Sequence, residues 1–132
     1  MKKQTNAVIT TSLDDPSVPP LDNPLPEISA ALKALSGKWT LMILCQLSRR
    51  VARFNELKRT IPGITQHMLT TSLRQLESQG LVNRTIYAEV PPRVEYRMTP
   101  HGLALKPVIE ALAHWGQLHL KQQARLKGSS QR

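Results

Sequence analysis

Apolar and polar positions change period along this chain, and each change marks a boundary. Ile28, Ala31, Leu32 and Leu35 recur at the three- and four-residue steps of a helix starting near Glu27, which Ser36-Gly37 ends. Residues 39–47 (WTLMILCQL) are almost continuously apolar, which predicts a helix buried on most sides. Phe54, Leu57, Ile61 and Ile64 restore an amphipathic spacing, with Asn55 as candidate cap and Lys58 and Arg59 outward. Pro62-Gly63 breaks that helix: Pro disfavours helix in the residue before it, and Gly permits a sharp turn. Residues 64–80 (ITQHMLTTSLRQLESQG) form the next helix, with Thr65 as cap, Met68, Leu69, Leu73 and Leu76 as the apolar stripe and Gly80 as terminator. From Val82 the period falls to two. Val82, Ile86, Ala88 and Val90 share one phase, Val94, Tyr96 and Met98 repeat it, and Pro91-Pro92-Arg93 stands between as a stiff, basic hairpin tip. Thr99-Pro100 then starts a helix carrying Leu105, Val108, Ile109, Leu112, Trp115 and Leu118, which Pro107 should kink or restart. The pattern is mainly α with a small β-hairpin, and it contains helix, tight turn, helix, the helix-turn-helix arrangement.

The second of those paired helices has an unusual polar face. Gln66, His67, Thr70, Thr71 and Arg74 lie off the apolar stripe, and the only acid, Glu77, sits at the far end. A solvated face more often carries Glu and Lys. This one carries donors and acceptors suited to something polar and negatively charged. The stripe through Leu112, Trp115 and Leu118 is longer than so small a core needs, and part of it reads as a subunit interface.

Composition narrows the partner. The net charge is +9 over 132 residues. Residues 26–100 hold eleven Lys and Arg against five Glu, and residues 101–132 hold five against one, whereas residues 1–25 are slightly acidic. An excess of that kind suggests a polyanion, nucleic acid or an anionic membrane. No apolar run approaches the ~20 residues of a bilayer span, and no basic amphipathic helix with a free apolar face favours a membrane surface. Five prolines between Pro16 and Pro26 point to a flexible N-terminal arm over 1–26, ahead of a single domain over 27–120 and a basic, frayed tail over 121–132. The first residues do not read as a signal peptide. A single cysteine, Cys45, allows no internal disulfide and fits a reducing cytoplasm. It reads as a small buried hydrophobe; the alternative is a redox thiol helped by Arg49.

The residues of catalysis and metal binding are not arranged for it. There is no Gly-rich phosphate loop, CxxC or HExxH, and His114 and His119 stand five apart, off a shared helix face. No nucleophile–base pair can be named, so the chain is expected to be no enzyme and to need no cofactor.

Gly37-Lys38-Trp39-Thr40 leading into Ile43-Leu44, Arg53-Phe54-Asn55-Glu56-Leu57, Pro62-Gly63-Ile64, and Met68-Leu69 with Leu73, Leu76 and Glu77 together resemble the HxlR-type winged helix-turn-helix transcriptional regulators of bacteria, relatives in architecture of the MarR type. Gly80-Leu81-Val82, residues 89–96 (EVPPRVEY), Thr99 with Gly102, and Trp115-Gly116 complete the likeness, which runs from about 27 to about 118. The resemblance implies a homodimer on double-stranded operator DNA, held through the first and last helices. Ile28, Leu32, Leu35, Leu112, Trp115 and Leu118 would then form the interface. It also implies that the helix at 65–79 enters the major groove and that the hairpin tip at 91–93 lies along the backbone or in the minor groove. Gln66, His67, Thr70, Thr71 and Arg74 would touch bases, since Arg suits guanine, Gln suits adenine and Thr either edge or a thymine methyl. Lys38, Arg53, Thr65, Arg84, Pro92 and Arg93 would be phosphate or wing contacts. A two-fold dimer implies an inverted-repeat operator. The rival is a winged-helix adaptor for RNA or protein. Thiol-sensing members of the family carry a Cys just before the first helix. This chain reads Asn23-Pro24-Leu25-Pro26-Glu27 there, so the resemblance does not imply thiol sensing by that route. These residues specify no site for a small-molecule effector.

Overall fold

In the computed structural model, which describes residues 15–130, the core gathers around the helix at 66–78. In chain order the elements are α1 (Leu25–Ala34), α2 (Thr40–Arg49), β1 (Ala52–Arg53), α3 (Phe54–Thr60), α4 (Gln66–Ser78), β2 (Val82–Tyr87), β3 (Arg93–Met98), α5 (Pro100–Leu103) and α6 (Lys106–Ser130). Ile43, Leu44 and Leu47 of α2, Leu57 of α3 and Leu69, Leu73 and Leu76 of α4 meet in one core, closed from the sheet side by Val82, Tyr96 and Met98. Seven side chains there are sealed from solvent, which fixes the mutual angles of α2, α3 and α4.

The sheet has three strands rather than the two of the expected hairpin. β3 is central, with β2 and β1 antiparallel on either side in the order β1-β3-β2. β1 pairs Ala52 with Tyr96 and Arg53 with Glu95. A two-residue strand has no period to detect; its pairing is decided by where β3 lies. The hairpin's apolar phase is buried only at its base. Val82 opposite Met98 is in the core, whereas Ile86 and Val90 project into solvent as the hairpin leaves the body.

Several local expectations change. α1 starts at Leu25, two residues before Glu27, because Pro26 falls in the first turn, where a helix asks for no N–H. α2 is buried along one face only: Met42 is exposed, and Leu41 and Cys45 are half-buried. Asn55 does not cap α3. Arg53 holds that position in extended conformation, and its N–H donates to Glu56 Oε1 at 2.7 Å. Met68 leaves the stripe and is exposed, since it stands about 100° round the helix from Leu69. Residues 121–130, expected to fray, continue α6; Gln122, Gln123, Ala124, Arg125 and Leu126 are all good helix formers. Residues 15–24, within the expected arm, carry only turns, and the rest of that arm (1–14) and the chain end (131–132) lie outside the described residues.

The last two helices are separate. Thr99 caps α5 by accepting the Gly102 N–H at 2.9 Å, and its hydroxyl donates to the Gly80 carbonyl at 2.6 Å. α6 restarts at Lys106 with Pro107 in its first turn and packs on α2 by way of buried Ile109.

Candidate nucleic-acid interface

α4 is fixed at both ends by its own sequence. Gly63, at φ +83°, turns the chain out of α3, and the Ile64 N–H returns to the Ile61 carbonyl at 3.3 Å. Thr65 is then extended, and its Oγ1 accepts the Met68 N–H at 3.1 Å. The other amides of that first turn have no acceptor within the helix, so this end is electropositive. At the far end Gly80 is left-handed, at φ +74°. Its N–H donates to the Glu77 carbonyl, and the Leu81 N–H to the Leu76 carbonyl, both at 3.0 Å. Those two bonds make a Schellman closure, and they set where β2 begins.

With Leu69, Leu73 and Leu76 turned inward, Gln66, His67, Thr71 and Arg74 are exposed and Thr70 is half-buried. All five fall within an arc of about 140° of helix. The one carboxylate on that side of α4 is Glu77, a turn beyond Arg74. Glu77 is turned toward the wing, where its Oε1 lies 3.4 Å from Arg84 Nε. Thr70, Arg74, Glu77 and Arg84 come together around one small cleft floored by Leu73 and Tyr96. Burial pushes the Tyr96 phenol above its ordinary value, so it stays a neutral donor.

The wing is braced by charge. Arg93, opposite Tyr87 in the register, lays its guanidinium over the Tyr87 ring at 3.8 Å. It donates to Glu89 at 2.9 Å and to Glu95 at 2.6 Å. Arg97 donates to Glu95 at 3.1 Å and to the Tyr87 hydroxyl at 3.3 Å. The bonds from Arg93 hold the Glu89 carboxyl below its ordinary range, and those carboxylates raise Arg93 in turn. Arg93, expected as a phosphate or wing contact, is thus paired with two carboxylates and a ring. Arg93, Glu95 and Arg97 share one face of β3 by the period of two, a signal present in the sequence but meaningful only once Tyr87 is known to sit opposite.

The remaining positions fall as follows. Arg53 and Pro92 are exposed and line, with Arg93, a cleft between β1, the start of α3 and the wing. Arg59, which sequence reasoning left as an outward helix residue, lines the same cleft. Lys38 stands before α2 with its Nζ 4.7 Å over the Trp39 ring, apart from both clefts. Cys45 is half-buried against the core.

A second surface lies on α1 and α6. α1 buries no residue, and Ile28 and Leu32 are exposed, the latter at 65%. Leu35, the third of the expected interface residues at this end of the chain, is half-buried against the chain's own core. On α6, Leu112, Trp115 and Leu118 are each about half exposed or more, with Trp115 at 58% and stacked on His119. Among the described residues nothing covers these faces, no three His, Cys, Asp or Glu side chains gather as for a metal, and no helix is long and apolar enough to cross a membrane.

Residues 34–124 match the model of the HxlR-like helix-turn-helix family. A HTH-type transcriptional regulator of Methanothermobacter thermautotrophicus is 47% identical over 98 residues, 74% of this chain and 75% of its own length. The HTH-type regulator YtcD of Bacillus subtilis is 43% identical over 72% of this chain and 75% of its own. Among solved structures, a MarR-family regulator from Enterococcus faecalis superposes with a TM-score of 0.68 at 42% identity, covering 78% of this chain and 94% of that one. The reduced form of the redox regulator HypR superposes with a TM-score of 0.71 at 36% identity, covering 75% and 98%.

Proposed function

The chain belongs to the HxlR-like helix-turn-helix family, and from that membership we propose that it is a homodimeric transcriptional regulator that reads an inverted-repeat operator with α4. The observation that carries this reading is the exposed arc of Gln66, His67, Thr71 and Arg74 on a helix whose opposite face is locked into the core. The only acid on that side, Glu77, is paired with Arg84, the arc starts at an electropositive helix end, and its side chains have the donors and acceptors of base-edge recognition. Thr70, half-buried beside Arg74, would make its contact at the edge of that arc. Thr65 would offer a hydroxyl and nearby amides to a phosphate. Arg53, Arg59, Lys38 and Arg84 would add contacts that raise affinity and salt dependence without reading sequence. Arg93 would act by bracing the wing. The uncovered apolar faces of α1 and α6 support a two-fold partner, which would set two α4 helices one or two helical turns apart, at ~34–36 Å per turn.

Selection of bound duplexes from a randomised pool tests this. The wild type should return an inverted repeat, and its affinity should exceed that for scrambled duplex at raised salt. Arg74→Ala should relax one base pair in each half-site, by the ~1–3 kcal/mol of a bidentate contact. A pool without consensus, with duplex and single-stranded RNA bound alike, would overturn operator recognition. An equal loss on every sequence would remove Arg74 from the reading residues.

A further inference from the structure

Stability does not account for Glu77. It stands in the last turn of α4, where the helix dipole disfavours a negative charge, and no basic residue shares that turn. Its one ion pair reaches across to β2, with Oε1 3.4 Å from Arg84 Nε. The Arg84 side chain is 48% exposed and that of Glu77 26%, and a pair so open to water stabilises a fold little. On a surface that meets phosphates, an acid also repels its partner.

The pair has a definite place. Arg84 lies opposite Tyr96 in the register of β2 and β3, on the side of the sheet that carries Tyr96 into the core. With Thr70, Arg74 and Glu77 it rims a cleft of about 210 Å³ over Leu73 and Tyr96. Glu77 raises the Tyr96 phenol while Arg84 and Arg74 lower it, so all three charges stand within electrostatic reach of one hydroxyl. Beyond Glu77, the Arg84 guanidinium has no hydrogen-bond or ion-pair partner among the described residues. A guanidinium approached through Nε keeps donors on both Nη groups for a second acceptor.

We propose that Glu77 is a positioning residue for operator recognition: it holds Arg84 at a fixed place relative to α4, so that the Nη groups meet a backbone phosphate only where the groove edge lies at the right distance from the bases that α4 reads. This role rests on the operator-binding reading of α4. Arg84 touches no base in it. An unheld arginine swings to whichever phosphate is near and adds affinity to every duplex alike. A held one has already lost its rotamer freedom, and its contact counts in full only on a duplex of matching shape. Groove width and deformability then enter recognition at base pairs that α4 does not touch. A guanidinium suits this task and an ammonium does not, because its planar fork serves the carboxylate and the phosphate with separate donors.

Glu77→Gln and Arg84→Lys test the role. Anisotropy is measured on the duplex selected from the randomised pool and on a scrambled one, at two salt concentrations. Glu77→Gln should lower the preference for the selected duplex by about threefold to fivefold, the upper end of what an exposed ion pair contributes. Scrambled duplex should bind as tightly as before or tighter, since an acid is gone. Arg84→Lys should lose the same preference at an unchanged salt slope, because the charge stays. The two substitutions together should cost no more than either alone. In the ¹⁵N-labelled free protein, Arg84 should give a resolved Nε–H signal that Glu77→Gln removes. Absence of that signal from the wild type, or its survival in Glu77→Gln, overturns the holding of Arg84. An unchanged preference in both variants overturns its use in recognition. An equal loss on both duplexes in Glu77→Gln, with a lowered urea midpoint, overturns it in favour of a purely structural pair. A wild type that prefers no duplex overturns the operator reading and this role with it, and the Nε–H signal then tells that failure from a failure of Glu77 to hold Arg84.

Discussion

Gly102→Ala sets two effects of opposite sign against each other at one atom. Gly102 lies inside α5, where its backbone is helical and buried. Helix propensity alone favours the substitution, by up to ~1 kcal/mol. The surroundings oppose it. A Cβ at this position would collide with the Leu81 carbonyl oxygen and stand 3.1 Å from the Leu81 carbonyl carbon. Both are backbone atoms, so no side chain can swing aside. The Leu81 carbonyl is also held in place, accepting the Thr99 N–H at 3.1 Å, while Thr99 Oγ1 accepts the Gly102 N–H itself. Making room means parting α5 from the turn after α4, which strains the packing by ~1–3 kcal/mol and weakens one or two hydrogen bonds of ~1 kcal/mol each. The clash outweighs propensity, and a net loss of ~2–3 kcal/mol is expected. Urea unfolding at fixed protein concentration should show a lower midpoint at unchanged slope. Gly116→Ala is the control. It lies in mid-α6 with nothing within 4 Å of its Cβ position in the single chain, so it should stabilise by up to ~1 kcal/mol. A Gly102→Ala protein as stable as the wild type would refute the reasoning, because it would mean that the Leu81 turn yields at no cost. A destabilised Gly116→Ala would instead report a partner close to α6.

Trp115→Ala should shift the protein toward monomer in sedimentation, or toward a lower concentration-dependent melting point; an unchanged dimer would remove Trp115 from the interface. Arg93→Lys should weaken binding to all duplexes nearly as much as Arg93→Ala and speed amide exchange at Ala88, Glu89, Val90 and residue 93, since an ammonium cannot serve two carboxylates and a ring as the guanidinium does; full retention of binding by the lysine variant would show that only the charge matters, as at a phosphate. The Arg53 N–H holds the Glu56 carboxyl below its ordinary value of 4.5. Its extra stability is therefore present above pH 4.5 and lost as pH falls through the lower folded value. Wild type should exceed Glu56→Gln in melting temperature at neutral pH, and the gap should close in acid. A gap independent of pH would mean that the carboxylate charge contributes nothing.

Local chemistry determined most of this fold. The caps at Thr65 and Thr99, the stops at Pro62-Gly63 and Gly80, and the change of period at Val82 are each settled by the residues themselves, through hydroxyls that accept amides, a ring that fixes φ and glycines that turn left-handed. The face that α4 presents was legible for the same reason, since Leu69, Leu73 and Leu76 can point only one way into a core and the polar residues must then point out. Position in three dimensions decided the rest. β1 became a strand because β3 offers it an edge. Met68 and Met42 were left exposed because no neighbour reaches that side of their helices, and Ile86 because the hairpin runs past the end of the body. Arg93 carries the same charge in the sequence as any wing cation. Only the strand register puts Tyr87 across from it and two carboxylates beside it, and so turns a candidate contact into a brace. The unpaired Gln79 oxygen belongs to no motif, because burial is a property of how elements pack and not of their order along the chain.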